Sequence, residues 1–180
     1  MQRISVIGSS ASGKTTTARA LSERLDLPHL ELDAVFHQPG WVPKPDDAFR
    51  AEVAEFTDGG RWVVDGNYTS LGVAQLVWPR ADTIVWLDPS RPVVMSRVVR
   101  RTLRRVITRE ELWNGNREPW TNLYRTTPED NIIVWAWTRF HHTRRRYEAM
   151  LTDGTWAHLD VIRLRTRRER AAFVESLPRP

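Results

Sequence analysis

The segment Gly8-Ser-Ser-Ala-Ser-Gly-Lys-Thr15 decides the fold of this chain. It matches the Walker A pattern G-x-x-x-x-G-K-[ST] at every position. The apolar run Arg3–Ile7 before it predicts a strand, and the amphipathic run from Thr15 to Leu25 predicts a helix. A phosphate-binding loop needs this strand–loop–helix setting, so the segment predicts binding of nucleotide phosphates.

Each kind of residue in the loop has a physical role in this prediction. Glycines permit turn conformations that direct successive backbone N–H groups towards one anion. The lysine supplies charge for the β- and γ-phosphates, and the threonine hydroxyl is a ligand for Mg²⁺. We therefore predict ATP and Mg²⁺ as cofactors. The residues predicted to bind the ATP phosphates are Gly8, Ser10, Ala11, Ser12, Gly13, Lys14, Thr15 and Thr16.

Short apolar runs alternate with amphipathic runs along the rest of the chain. The pattern predicts further strands over 29–32, 61–64, 83–87 and 158–164. It predicts helices over 15–25 and 46–57, after Ser90, from Thr127 to about Leu151, and over 167–177. This alternation indicates an α/β fold. We expect a P-loop NTPase three-layer sandwich with a five-stranded parallel sheet and helices on both faces, in a single domain over 1–180.

The composition narrows the classes of function. The chain has no cysteine, which excludes a disulfide scaffold, a thiolate zinc site and a cysteine nucleophile. Its net charge of +5 is divided into −4 for residues 1–90 and +9 for residues 91–180, and 25 of its 27 basic residues are arginines. Such asymmetry suits nucleic acid, an anionic membrane or a phosphate-rich ligand, or it reflects a solvated surface. With lysine only at 14 and 44, a guanine-reading Asn-Lys-x-Asp is excluded.

The sequence contains no apolar run long enough to span a bilayer. The N-terminal run also lacks the long apolar region of a signal peptide. A cytoplasmic location is therefore expected.

Three predicted strands are followed by an acid, namely Asp33, Asp65 and Asp88. Ligands of parallel sheets bind beyond the carboxyl ends of the strands, so these acids are predicted on the ligand side. Asp65 is a candidate Mg²⁺ group, although an Asp-Gly pair is also a common turn. Glu31 and Asp33 are similar in placement to the strand-2 acids of shikimate-kinase-like enzymes, and this resemblance implies that one serves Mg²⁺ and the other holds the acceptor hydroxyl. A carboxylate there could orient the attacking hydroxyl and accept its proton, and the alternative is a helix cap or a solvated loop acid.

Several motifs together resemble the adenylate-kinase-like small P-loop kinases, and among them the bacterial topology-modulation or adenylate-kinase-related proteins. Besides the phosphate loop, the motifs are Leu30-Glu-Leu-Asp33 with Pro39-Gly-Trp41, Trp62-Val-Val-Asp-Gly-Asn-Tyr68, Arg97-x-x-x-Arg101 and Glu111-Leu-Trp-Asn-Gly-Asn-Arg117. The resemblance implies phosphoryl transfer from ATP to a small acceptor. Asn67-Tyr68-Thr69 stands where adenylate kinases have Phe-Pro-Arg, so the arginine that grips a nucleoside monophosphate is missing there.

The resemblance also implies roles for individual residues. Lys14, Asp33, Arg97 and Arg101 would be catalytic, Thr15 and Asp65 would serve the metal, and Asp33, Trp41, Asn67 and Tyr68 would bind the acceptor. Residues 34–60 would form an acceptor-binding insert, in which Trp41 lines a pocket or packs in the insert's own core. Residues 106–127 would form a lid, with lid arginines Arg104, Arg144 and Arg145. The alternative for the arginines is a solvated helix face.

Two functions therefore follow from the sequence. The first is an ATP- and Mg²⁺-dependent kinase for a small acceptor, either a nucleotide, a nucleoside or another metabolite with a hydroxyl group. The alternative is a nucleic-acid-associated ATPase or a regulator of DNA topology, which rests on the basic second half and on the resemblance to topology-modulation proteins. We find no DNA-reading motif in the sequence.

Overall fold

Five parallel strands form one sheet in the order β2-β3-β1-β4-β5. The structure, a computed structural model, describes residues 1–178 and all of their side chains except that of Glu129. The strands are β1 (Arg3–Gly8), β2 (His29–Glu31), β3 (Trp62–Asp65), β4 (Thr83–Leu87) and β5 (Asp160–Leu164). The helices are α1 (Lys14–Leu25), α2 (Leu32–Phe36), α3 (Asp46–Thr57), α4 (Val73–Val77), α5 (Arg91–Thr108), α6 (Ile132–Thr152) and α7 (Arg167–Ser176).

The sheet is covered on both faces because successive side chains of a strand point to opposite sides. One face packs against α1 and α7, through residues that include Ile4, Val6, Ala18, Leu21 and Phe173. The other face packs against α3, α4 and α6, through residues that include Ile7, Val64, Phe49, Val77 and Tyr147. The predicted three-layer α/β sandwich is thereby confirmed.

The central strand β1 places the phosphate loop. It lies between β3 and β4, with Ile4 opposite Val63 on one side and Thr83 on the other. The chain leaves β1 towards β2 at one edge of the sheet and leaves β4 towards β5 at the other edge. Such a divergence opens a crevice beyond the carboxyl ends of the strands, where ligands bind.

Element boundaries differ from the predicted ones in two places that matter. Strand β2 ends at Glu31, so Asp33 lies in the first turn of α2 and not at the end of a strand as predicted. The second long helix, α6, begins at Ile132 rather than Thr127. The reason is the cap, because the side chain of Asn131 accepts hydrogen bonds from the second and third N–H groups of the helix.

Among residues 1–178, no helix is both long and apolar enough to cross a membrane.

Gly8 is a position where we expect substitution to be costly. Its φ is +148°, and a Cβ built there would lie 2.4 Å from the carbonyl oxygen of Leu87 and 2.8 Å from Oγ of Ser12. Both the backbone strain and the overlap oppose a methyl group, so we expect Gly8→Ala to lower the free energy of unfolding by roughly 2–4 kcal/mol. Chemical denaturation measures this.

The matched control is Gly60→Ala. No atom lies within 4 Å of a Cβ built on Gly60, and its φ is not in the left-handed region. We expect this variant to stay within about 0.5 kcal/mol of the wild type. Equal stability of the Gly8 and Gly60 variants would contradict the tight fit at the start of the loop.

Candidate active site

The phosphate loop holds its lysine folded back over its own backbone. Nζ of Lys14 donates hydrogen bonds to the carbonyl oxygens of Gly8 and Ser9, at 3.2 and 3.1 Å. Burial lowers the pKa of Lys14, while the negative charges of Asp33 and Asp65 act in the opposite direction. The amine is thus positioned at the floor of the cleft, where an anion entering the loop would meet it.

A threonine hydroxyl and two carboxylates meet beside the loop. Oγ1 of Thr15 lies 2.8 Å from Oδ2 of Asp65 and 3.2 Å from Oε1 of Glu31. The parallel register places Glu31 opposite Asp65. The remaining oxygen of each acid is bound from outside, Asp65 by Nε2 of His29 at 2.7 Å and Glu31 by Arg19 at 3.1 Å. Each carboxylate therefore keeps one oxygen directed at Thr15.

This donor set fits Mg²⁺. Hydroxyl and carboxylate oxygens are the hard ligands that the ion prefers, and it usually takes one or two carboxylates together with water and substrate phosphates. The side chains that the structure describes include no group of three or more His, Asp and Glu that could hold a metal ion.

A second polar cluster surrounds Asp33. The hydroxyl of Tyr68 donates to Oδ1 of Asp33 at 2.7 Å, and Nε2 of His37 lies 3.4 Å from the same hydroxyl. Burial, together with the negative charge of Asp33, raises the pKa of Tyr68 well above its usual value. Burial lowers the pKa of His37. Tyr68 is therefore a neutral donor that fixes one carboxylate oxygen of Asp33.

Helix α5 brings both predicted arginines to the loop. Nη1 of Arg97 donates to the carbonyl oxygen of Ser12 at 3.0 Å, and Nη2 of Arg101 lies 3.4 Å from Oγ of Ser10. Residues four apart lie on one face of a helix, so the two guanidinium groups meet successive parts of the loop. Burial and the nearby charge of Arg105 lower the pKa of Arg101.

The other predicted arginines are divided between the cleft and the outer surface. Arg104 lines the cleft and pairs with Glu110 at 2.9 Å. Arg144 instead pairs with Asp88 and Glu148, at 3.4 and 3.7 Å. Nε of Arg145 lies 3.4 Å from a carbonyl oxygen of its own helix. On α6 the arginines that line the cleft are Arg139 and Arg146.

Asp88, the third predicted strand-end acid, is buried under arginines. Arg163 donates two hydrogen bonds to Oδ2 of Asp88, at 3.0 and 2.6 Å, and also stacks its guanidinium over the ring of Trp86 at 3.9 Å. This carboxylate is occupied in a structural ion pair between β4 and β5, whereas Glu31 and Asp65 face the loop.

The segment 106–127 is bound to the segment 34–41 by asparagine side chains. Asn116, which is buried, accepts the backbone N–H of Trp41 at 2.8 Å and donates to the carbonyl oxygen of Gln38 at 2.9 Å. Asn114 donates to two more carbonyl oxygens of that segment, at 3.1 and 2.6 Å. The indole N–H of Trp41 donates to the carbonyl of Arg117 at 3.0 Å. Trp41 therefore joins the two segments and lines the cleft at the same time.

We expect Asn116→Ala to loosen the connection between these segments. The substitution removes two hydrogen bonds and leaves the N–H of Trp41 without its acceptor, which costs about 1–3 kcal/mol. Hydrogen exchange at the Trp41 amide should accelerate accordingly. The control is Thr126→Ala, at an exposed position of segment 106–127. Unchanged exchange at Trp41 in the Asn116 variant would contradict this role.

These groups surround one cleft of 1770 Å³. Pockets for single drug-sized ligands have roughly 300–1,000 Å³, so this cleft has room for a nucleotide and a second molecule. The predicted residues that line it are Ser10, Ala11, Gly13, Lys14, Thr15, Thr16, Asp33, Trp41, Asn67, Tyr68, Arg97, Arg101 and Arg104. Gly8, buried Ser12 and buried Asp65 support it from behind.

Sequence reasoning missed several residues at the cleft. His29, which binds Asp65, and His37, beside Tyr68, belong to no motif that would have singled them out. Arg170 lines the cleft from α7, which is distant in the sequence. Asn116 belongs to the motif Glu111–Arg117 that carries part of the family resemblance, but the motif does not indicate which residue Asn116 binds.

Solved structures with a similar fold include small-molecule kinases. Shikimate kinase from Acinetobacter baumannii, in complex with shikimate, has a TM-score of 0.58 at 16% identity, covering 97% of this chain and 89% of that one. A gluconokinase from Sinorhizobium meliloti has a TM-score of 0.51 at 19% identity, and a sugar kinase from Janibacter sp. has 0.52 at 18%. Each of the last two comparisons covers 97% of this chain and 91% of the other.

The chain thus has the fold of the small P-loop kinases. At these identities the likeness concerns the fold alone. No protein-family model matches the sequence, and no curated protein matches it. The resemblance to adenylate kinases and to the topology-modulation proteins stays a prediction.

Proposed function

We propose that the protein is a kinase that transfers the γ-phosphoryl group of ATP to a small-molecule acceptor. The observation that carries this proposal is that the groups needed for phosphoryl transfer meet at one cleft. They are the loop lysine, Thr15 with the carboxylates of Glu31 and Asp65, the carboxylate of Asp33, and two arginines of α5. The similar fold of kinases for shikimate, gluconate and a sugar supports it.

In this proposal one end of the cleft binds the phosphates of ATP and the other end binds the acceptor. Thr15, Asp65 and Glu31 would hold Mg²⁺, which would supply positive charge against the negative charge of the phosphates. Lys14 leaves its carbonyl partners for the phosphate oxygens, and Arg101 approaches from the opposite wall. Positive groups fixed around a loose phosphoryl transition state lower its energy because they are placed before the reaction begins.

Asp33 would receive the proton of the acceptor. As the acceptor oxygen bonds to the γ-phosphorus and the bond to the bridging oxygen of ADP breaks, the hydroxyl proton moves to a carboxylate oxygen. Tyr68 occupies Oδ1 of Asp33, which leaves Oδ2 for the acceptor. Asn67, bound to the Tyr147 hydroxyl at 2.9 Å, and Trp41 would complete the acceptor wall.

The proposed organisation is a single kinase domain in which residues 34–60 bind the acceptor and residues 106–127 act as a lid. The asparagine contacts between segments 34–41 and 106–127 support a shared movement of the two. A lid that closes over the nucleotide excludes water from the reaction.

The test is ADP formation from Mg²⁺-ATP in the presence of grouped sugars, hydroxy acids, nucleosides, nucleotides and aminoglycosides. We expect one group to raise the rate of ADP formation above the rate without an acceptor, and subdivision of that group to identify the substrate. Turnover of ATP that no group stimulates would contradict the kinase proposal.

The alternative, a nucleic-acid-associated ATPase, gains no specific contact from the structure. Arginines of the basic half line the cleft from α5, α6 and α7, and the half-buried Arg163 pairs with Asp88. Saturable binding of duplex DNA near physiological salt, altered by ATP, would favour this alternative.

A further inference from the structure

The last helix brings to the loop an arginine that the proposed catalysis does not use. A Cβ built on Gly13 would lie 2.2 Å from Nη1 of Arg170, so the guanidinium lies directly over that glycine. Arg97 reaches the preceding residue from the other wall, through its hydrogen bond to the carbonyl of Ser12. Arg167, one turn before Arg170, also lines the cleft. Three guanidinium groups therefore surround one corner of the phosphate loop.

This corner has an excess of positive charge. Three acids of the cleft are paired with other arginines, namely Glu31 with Arg19, Glu110 with Arg104 and Glu118 with Arg105, and Asp33 is bound by Tyr68. Among the side chains that the structure describes, no carboxylate lies within 4 Å of a guanidinium nitrogen of Arg97, Arg167 or Arg170. Burial, followed by the charges of Arg97 and Arg167, lowers the pKa of Arg170. Like charges held close together are unfavourable unless an anion joins them.

The position of the corner identifies the anion. Lys14, Arg101 and Asp33 mark the end of the loop where the γ-phosphate would react. Arg97 lies one helical turn before Arg101 and contacts Ser12 rather than Ser10. A nucleotide whose β-phosphate lies in the loop extends from the reacting end towards its nucleoside, and thus towards this corner.

We propose that Arg170, together with Arg97, binds the α-phosphate of the nucleotide. The proposal rests on the proposed function, in that it takes the loop to bind a nucleoside di- or triphosphate. A stacked base would not neutralise two adjacent guanidinium groups, whereas a phosphate does and accepts hydrogen bonds from both. The arginines of the C-terminal helix would in this way join the nucleotide site.

The experiment measures dissociation constants by calorimetry, with Mg²⁺ present, for ADP, CDP and UDP, and for orthophosphate by competition against ADP. We expect Arg170→Gln to raise the dissociation constants of all three nucleotides by about tenfold, because it removes charge-assisted hydrogen bonds. Orthophosphate would occupy the loop but has no α-phosphate. Its dissociation constant should therefore differ by less than about twofold between Arg170→Gln and the wild type. Arg170→Lys, which keeps the charge, should lose less affinity than Arg170→Gln.

The matched control is Arg168→Gln, an exposed arginine of the same helix, which should bind all ligands as the wild type does. The proposal is overturned if Arg170→Gln binds ADP as the wild type does. It is also overturned if the loss of affinity differs among ADP, CDP and UDP, or if the affinity for orthophosphate falls as much as that for the nucleotides. Equal loss in the control, or a wild type that does not bind ADP, would overturn it as well. None of these readouts needs an acceptor, so a failed search for the acceptor would leave this test intact.

Discussion

Replacing Lys14 by alanine is expected to reduce ADP formation to background, a loss of about 10³-fold or more. The reason is the position of Nζ, which lies 3.2 and 3.1 Å from the carbonyl oxygens of Gly8 and Ser9 at the floor of the cleft. A phosphate entering the loop meets this amine first. Arg101, at 3.4 Å from Ser10, touches the rim and cannot take its place.

The measurement compares initial rates of ADP formation at saturating ATP and acceptor, with circular dichroism to show that the fold survives. Lys44→Ala is the matched variant, because Lys44 is the second of the two lysines and pairs with Glu52 away from the loop. We expect it to keep the wild-type affinity for ADP. A folded Lys14→Ala protein with more than a tenth of the wild-type rate would contradict the assigned role.

The parts of the molecule that could be predicted are those set by neighbours in the sequence. The phosphate loop is one continuous segment, and β4 (Thr83–Leu87) and α3 (Asp46–Thr57) have the predicted bounds because their apolar spacing is regular. A parallel sheet covered on both faces has strands that are apolar throughout, and β1, β3 and β4 are buried on both faces. The fold therefore followed from local patterns.

The register of side chains on α6 could not be predicted in the same way. The run Arg144-Arg145-Arg146 offers three adjacent cations, and adjacent residues of a helix point in directions about 100° apart. Tyr147 is buried in the core, which fixes the rotation of the helix. Arg146 then faces the cleft, and Arg144 is directed to the ion pair with Asp88.

Contacts between segments distant in the sequence could not be predicted either. His29 binds Asp65 across 36 positions, and Asn116 binds Trp41 across 75. Neither pairing has a sequence signature, because a histidine or asparagine is suited to many partners. Asp33 lies near the loop as predicted, but in a helix and not at the end of a strand. Helix α2 begins directly after Glu31, and Asp33 accepts the hydrogen bond of Tyr68 from there.

Replacing Asp33 by asparagine tests whether this carboxylate receives the acceptor proton. The amide is nearly isosteric and still accepts the hydrogen bond of Tyr68, but it cannot take up a proton at Oδ2. We expect kcat to fall by about 10²–10⁴-fold, with the KM for ATP within a few-fold of the wild type. The control is Asp58→Asn, because the side chain of Asp58 is 82% exposed and pairs with Arg80 at 3.8 Å.

The pH profile of Asp33→Asn separates proton transfer from an indirect effect on Lys14. The negative charge of Asp33 raises the pKa of Lys14, so its removal lets that pKa fall and the amine lose its charge at a lower pH. If Asp33 acts only through Lys14, lowering the pH recharges the amine and restores the rate of the variant. If Asp33 is the base, the loss persists at every pH, because no carboxylate remains to take the proton. We expect a loss that persists from about pH 6 to pH 8, and recovery of the wild-type rate at the acid end would contradict the role as base.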